Sequence, residues 1–218
     1  MAEEITREHT SSSAQLDGRV AIVAGASRGI GCAIAIHLHS LSGNISDPDE
    51  IFHKAEQELG SKIQILVNCA GVRDPRYPSL GNTTVEDRDT TFNVNTKGSF
   101  LCCREAVNRL TCGGGGRIIM ISTSVVGGLI PGFAAYAASK AAVETMRKIV
   151  VKEFNGAGIT ANCVAPGSIA TDMFFEGITE ETIKNMVDAC PLRRLGEPED
   201  WINGQVIRVK GGYTVVYD

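Results

Sequence analysis

The stretch "RVAIVAGASRGIG" (Arg19–Gly31) decides the fold. Its first part, Val20–Ala24, is an unbroken apolar run rich in β-branched residues, which is how a strand buried on both faces reads. The run ends in a glycine-rich turn that opens directly into a second apolar segment. In that context a turn of small residues brings backbone N–H groups and a helix N-terminus against a phosphate. Gly25, Gly29 and Gly31 are the small positions. Alone, the pattern fits a plain tight turn equally well, so the flanking sequence has to supply the context.

Outward from this stretch, strand-like runs alternate with helical patterns. "IQILVN" (63–68), "RIIMIS" (117–122), "ITANCVA" (159–165) and "QVIRV" (205–209) are the further apolar runs. Between them, helices are predicted over Ile30–Leu41, Pro48–Leu59, Thr84–Leu110 and Phe133–Phe154. The helix at Pro48 has the clearest start, with Asp47 placed to cap it, Pro48 at the first helical position and Glu50 able to close the capping box. Such alternation predicts an α/β protein, a Rossmann-type doubly wound parallel sheet in one domain over 18–218. A polar, acidic tail, "MAEEITREHTSSSAQLD", precedes it at residues 1–17.

Composition narrows the function. A net charge of −4, from 21 Lys+Arg against 25 Asp+Glu, offers no basic stripe for a phosphodiester backbone and no polybasic anchor for a membrane surface. Neither nucleic acid nor membrane is expected as a partner. The seven cysteines (32, 69, 102, 103, 112, 163 and 190) lack the paired spacing of zinc or redox motifs and read as small, mostly buried residues in a reducing compartment. The N-terminal residues have no apolar signal core and are too acidic for a transit peptide, so a cytoplasmic location is expected. His37 and His39 stand two apart and would face different sides of a helix, so no metal is expected.

"YAASK" sets Tyr136 and Lys140 four apart, on one face of a helix. A nearby ammonium favours a phenolate, lowers the tyrosine pKa and makes it a usable proton donor and acceptor. An isolated pair of this kind is more simply an aromatic packed beside a solvated lysine. Here the pair arrives in order with "GASRGIG" (25–31), "NCAG" (68–71), "NVN" (93–95) and "APGSIATDM" (165–173).

With these motifs, from Gly18 to Tyr213, the chain resembles the short-chain dehydrogenase/reductase family, and within it the plant NADPH-dependent aldehyde reductase-like members. Ala24 stands where that family usually has Thr. The resemblance implies that Tyr136 passes a proton to a carbonyl oxygen, that Lys140 holds the nicotinamide ribose, and that Asn95 anchors a water linking Lys140 to solvent. It implies that Gly25, Ser27, Arg28, Gly29, Ile30 and Gly31 meet the pyrophosphate and adenosine side of the cofactor. Asn68, Ala70 and Gly71 would then lie beneath the ribose, with Pro166, Gly167, Ile169 and Thr171 around the nicotinamide. A basic residue at Arg28 favours NADP(H), because a guanidinium pairs with the 2'-phosphate. The hydroxyl that orients the substrate stays open: the wording "SVVG" selects Ser124, and counting back from Tyr136 selects Thr123, with Ser122 beside them.

The chain also departs from the family. A strand-helix-strand unit of about 30 residues normally precedes the helix at Pro48, and only "HLHSLSGNISD" (37–47) stands there. The second and third strands are therefore expected to be missing, together with the adenosine-binding residue that follows the second, and Asn44 takes the position beside adenine. Near the end, "GEPEDWINGQVIRV" (196–209) passes from a helix start straight into a strand, so a late helix is expected to be missing. Both joints resemble omitted coding segments. Without its neighbour, Val20–Ala24 would become an exposed sheet edge prone to aggregation.

The expected activity is hydride transfer between NADP(H) and the carbonyl or alcohol group of a small aldehyde or ketone, in a homo-oligomer. One alternative is an impaired splice isoform or gene-model truncation that joins full-length subunits through the helices around Thr84–Leu110 and Phe133–Phe154. Another is an NADPH-binding module without turnover.

Overall fold

A computed structural model describes Leu16 and residues 18–38, 41–43, 48–110, 112–198 and 200. Its strands are β1 (Val20–Ala24), β2 (Leu41–Gly43), β3 (Ile63–Asn68), β4 (Arg117–Ile121) and β5 (Thr160–Val164). All pair in parallel, in the order β2-β1-β3-β4-β5. Each apolar run that falls in the described residues forms a strand ending within a residue of the run.

The period-2 alternation of β1 feeds two cores, which is the doubly wound arrangement. Val20, Ile22 and Ala24 pack with Phe52, Ala55, Cys103 and Ala106 on one face. Ala21 and Val23 pack toward Ile34, Ala35 and Leu38 on the other, the face covered by helix α1 (Gly29–Leu38). Helix α2 (Pro48–Leu59) starts at the expected proline and buries Phe52, which is 1% exposed. Burial of such a side chain stabilises by about 1.5–3 kcal/mol.

The helix expected over Thr84–Leu110 forms in three parts: α3 (Val85–Phe92), a π-helical turn (Asn93–Gly98) and α4 (Ser99–Arg109). Thr84 caps it by accepting a hydrogen bond from the Asp87 backbone N–H at 3.1 Å. Helix α5 (Val125–Gly128) is a single turn, α6 (Ala134–Glu153) is the long helix expected near Phe133, and α7 (Asp172–Phe175) and α8 (Glu180–Ala189) follow β5.

One expectation is corrected at the sheet edge. Residues 41–43, expected at the end of a helix and in a junction without a strand, form β2. Ile22, Val23 and Ala24 pair with Leu41, Ser42 and Gly43. Three extended residues are enough to satisfy the outward backbone groups at this end of β1, and they need no hydrophobic run to do so. The exposed edge expected at β1 is thereby partly covered, and a short edge strand is a weak template for aggregation. The N-terminal tail (Leu16 apart), Asn44, the strand expected at 205–209 and the late helix expected to be missing lie outside the described residues.

Candidate active site

A cleft of about 640 Å³ opens beyond the carboxyl ends of the strands. In open α/β sheets ligands bind there, where the connections leave the sheet on opposite sides. Its floor is the turn between β1 and α1. Gly25 has φ +79°, and a Cβ on it would lie 2.6 Å from the backbone N and Cα of Ala70. A Cβ on Gly31 would lie 2.2 Å from the Gly25 carbonyl oxygen. The turn, the start of α1 and the end of β3 touch backbone to backbone, so side chains are excluded by contact and not only by dihedral preference.

Ser27, Arg28, Gly29 and Ile30 line the cleft beside this turn, with Ala70 and Gly71 next to them and Pro166, Gly167, Ile169 and Thr171 opposite. The first turn of α1 carries no acidic side chain, and Arg28 is exposed at the rim. Asn68 lies behind the wall, 2% exposed, with its Oδ1 unpartnered. An orphaned buried acceptor is rare and suits a site that takes a polar ligand.

Tyr136 and Lys140 stand one turn apart on α6 and both line the cleft. Lys140 is 3% exposed, which rules out the solvated-lysine reading, and its Nζ donates to the Ile121 carbonyl at 2.8 Å. Burial pushes the Lys140 pKa down. Burial also pushes the Tyr136 pKa up, against a hydrogen bond with the Thr123 side chain and, after it, the positive charge of Arg73. Burial outweighs both, so the net shift of Tyr136 is upward and the expected lowering does not occur, while the Lys140 ammonium is engaged with a strand carbonyl.

The three hydroxyls at the end of β4 have separate fates. Ser122 is buried and donates to Glu144 Oε1 at 2.6 Å. Thr123 is 7% exposed, lines the cleft and bonds the Tyr136 side chain. Ser124 is exposed at the start of α5; its backbone N–H donates to the Pro166 carbonyl at 2.8 Å and its side chain makes no capping bond.

Asn95 is fully buried in the π-helical turn and does not line the cleft. Its Oδ1 accepts from the Val72 N–H at 2.8 Å, and its Nδ2 donates to the Val72 carbonyl at 2.8 Å and to Ser139 Oγ at 2.9 Å. Ser139 Oγ in turn donates to the Tyr136 carbonyl at 2.7 Å. This network ties the loop after β3 to α6. The wider turn turns Asn95 inward, as π-bulges at functional positions often do.

Sequence reasoning passed over Ser139, Arg73 and Tyr77. Ser139 lies inside the quoted "YAASK" and could have been marked by its place one turn from Tyr136. Arg73 and Tyr77 stand in "VRDPRYP", a loop-like stretch whose contacts with the cleft are made to residues about 100 positions away.

A family model described as Enoyl-(Acyl carrier protein) reductase matches residues 41–214. An Arabidopsis thaliana protein named "NADPH-dependent aldehyde reductase-like protein, chloroplastic" is 46% identical over 257 residues, covering 91% of this chain and 95% of its own. The chain belongs to the short-chain dehydrogenase/reductase family. A family member from Picea abies, "Short-chain type dehydrogenase/reductase", is 42% identical, covering 90% of this chain and 93% of its own. The A. thaliana "NADPH-dependent aldehyde reductase 2, chloroplastic" is 40% identical, covering 90% of this chain and 94% of its own.

Among solved structures, a dehydrogenase/reductase from Sinorhizobium meliloti superposes with a TM-score of 0.74 at 29% identity, covering 84% of each chain. A putative dehydrogenase from Burkholderia cenocepacia with bound NADP shares the fold, with a TM-score of 0.72 at 23% identity over 80% of this chain and 78% of that one.

This short-chain dehydrogenase/reductase is shorter than its relatives. The 257 positions matched to the first relative take up 91% of a 218-residue chain, or about 198 residues, so about 59 matched positions face no residue here. None of the helices in the described residues is long and apolar enough to cross a membrane.

Proposed function

We propose that the chain transfers hydride between NADP(H) and the carbonyl or alcohol group of a small aldehyde or ketone. The observation that carries this reading is that Thr123, Tyr136 and Lys140 meet in one cleft, with Lys140 buried one helical turn from Tyr136. The residues present fit a dinucleotide: a turn with no room for a side chain at Gly25 or Gly31, a helix N-terminus without acidic residues, an unpartnered Asn68 Oδ1 and an exposed guanidinium at Arg28. Arg28 favours the 2'-phosphate of NADP(H), in keeping with the NADPH in two relatives' names.

Gly25, Ser27, Arg28, Gly29, Ile30 and Gly31 would hold the phosphate and adenosine side. Ala70 and Gly71 would line the ribose side with Asn68 behind them, and Pro166, Gly167, Ile169 and Thr171 the nicotinamide side. The bound cofactor supplies the hydride that reduces the carbonyl carbon. Tyr136 donates its phenolic proton to the carbonyl oxygen, so that the carbonyl becomes an alcohol and Tyr136 a phenolate. Thr123 stabilises that phenolate by hydrogen bonding and is placed to orient the substrate oxygen, with Ser124 as the second hydroxyl in reach of the cleft. Lys140, held on the Ile121 carbonyl, keeps a positive charge near the reacting end. Asn95 acts from behind the wall by fixing the loop at Val72 and, through Ser139, the start of α6.

The missing length favours a second reading, an impaired form that binds NADPH weakly or associates with full-length subunits. Exposed Val85, Phe100 and Ile149 on α3, α4 and α6 support association through these helices. The cytoplasmic location stays an expectation from the sequence, whereas the two A. thaliana relatives are named chloroplastic.

The deciding experiment follows NADPH oxidation with a panel of aldehydes and ketones, alongside an NADPH titration. Turnover that falls about 100-fold or more in Tyr136→Phe is the expected result. Folded protein that binds NADPH and turns over nothing sinks the enzymatic reading and leaves the binding module.

A further inference from the structure

Arg73 is the half-buried cation of the cleft that none of the expected roles uses. Its guanidinium donates to three backbone carbonyls of the segment 172–177, which crosses the cleft after β5. These are Met173, Phe174 at 3.4 Å and Glu176 at 2.9 Å. The same guanidinium lies 4.3 Å from the centre of the Tyr77 ring.

Tyr77 makes the connection to α6. It adopts φ +52°, a left-handed conformation that a bulky side chain rarely takes. Its ring meets Phe133 edge-on at 5.0 Å, its carbonyl lies close to Gly132, and its hydroxyl donates to the Glu176 carbonyl at 3.4 Å. At the end of the segment, a Cβ on Gly177 would lie 1.8 Å from the Pro75 carbonyl oxygen. The strap over the cleft thus rests backbone to backbone on the loop 73–77, and the same loop touches the residues just before Tyr136.

We propose that Arg73 is a positioning residue that fastens the strap Met173–Glu176 at the cleft and keeps a fixed positive charge in the cleft that Tyr136 also lines. The chemistry favours arginine. One guanidinium holds the strap carbonyls from Nη2 and the Asp74 carbonyl from Nη1 while its plane stacks on an aromatic face. A lysine ammonium keeps the charge and donors but has neither the second nitrogen nor the plane. The groups facing Tyr136 are Thr123 from the end of β4, Cys69 from the end of β3, Arg73, and Lys140 from its own helix. Among these, Thr123 and Arg73 favour the phenolate, and Cys69 opposes it.

Two variants separate fastening from charge: Arg73→Lys keeps the charge and loses the fork, and Arg73→Met loses both. Fastening is read without cofactor or turnover, by hydrogen exchange at the Phe174, Phe175, Glu176 and Ile178 amides, all bonded within the segment. Both variants should exchange there about tenfold faster or more, with little change in the sheet. Unchanged exchange in both overturns the fastening role, whether or not the chain is an enzyme.

The charge role rests on the carbonyl-reductase reading and is measured in the alcohol-oxidation direction, which needs the phenolate. Removing the cation raises the Tyr136 pKa, so the acid limb of the kcat/KM profile should move to higher pH in Arg73→Met and stay in place in Arg73→Lys. KM should rise in both. A limb that moves in neither variant, in protein that still turns over, overturns the charge role. If wild-type protein shows no turnover, the reductase reading fails and the exchange result still decides the fastening.

Discussion

Thr123 and Ser124 are adjacent in sequence, but among the hydroxyls at the end of β4 it is Thr123 that bonds Tyr136. Sequence could not separate them, because wording and spacing pointed to different members of the pair and the choice depends on how the chain turns out of the strand. Thr123→Ala should cut turnover about 10- to 100-fold, the equivalent of one hydrogen bond to a charged group at about 1.5–3 kcal/mol. Ser124→Ala should stay within about threefold. The sign of the pH effect follows from the same bond. It lowers the Tyr136 pKa, so its loss raises that pKa, and the acid limb of alcohol oxidation should move to higher pH in Thr123→Ala alone. Steady-state profiles of the two variants check both statements. At this scale the motif residues were legible in the sequence because their types and order are distinctive. Ser139 and Arg73 were not, because their partners are 44 and about 100 positions away.

At the scale of elements, α2 shows how the shortened chain keeps its core. Arg109 at the end of α4 pairs with Asp49, with Glu56 Oε2 at 3.1 Å and with Glu105 Oε2 at 3.6 Å, and its guanidinium carbon lies 5.8 Å from the centre of the Phe52 ring. The Arg109 and Glu56 side chains are 17% and 11% exposed, so screening weakens this pairing less than at an open surface. Arg109→Met should destabilise by about 1–3 kcal/mol, a fall of about 3–10 °C in Tm, checked by thermal and urea melts. Burial raises the Glu56 pKa, but hydrogen bonds from Lys62 and the Ile63 N–H and the charges of Lys62 and Arg109 outweigh it, and the net shift is downward. Its contribution is therefore present above the unfolded-state pKa and lost as pH falls through the folded one. Sequence located α2 well, because Pro48 marks its start and the 3.6-residue pattern carries its buried face. It missed the π-helical turn, because one extra residue in a turn leaves no mark on that pattern, and it missed β2, because three residues carry no period.

For the whole molecule, the consequence of the missing length falls on cofactor affinity more than on the sheet. The family's adenosine-side contacts are expected to be the lost part, and two charge-assisted hydrogen bonds at about 1.5–3 kcal/mol each amount to roughly 100-fold or more in Kd. Fluorescence titration should show NADPH binding at least about 100-fold more weakly here than in the A. thaliana relative named NADPH-dependent aldehyde reductase 2. Equal affinity would mean that the adenosine side is rebuilt from other residues.

The sequence by itself determined the doubly wound parallel sheet, the glycine-rich turn and the ordered motif set, because strand runs, helix starts and short motifs are local properties. Only the tertiary structure decided that β2 covers the edge of β1, that Lys140 is buried on the Ile121 carbonyl, that Thr123 and Tyr136 meet in one cleft and that Arg73 reaches the strap. Each of these depends on groups brought together from separate strand ends, and no local pattern encodes which groups those are.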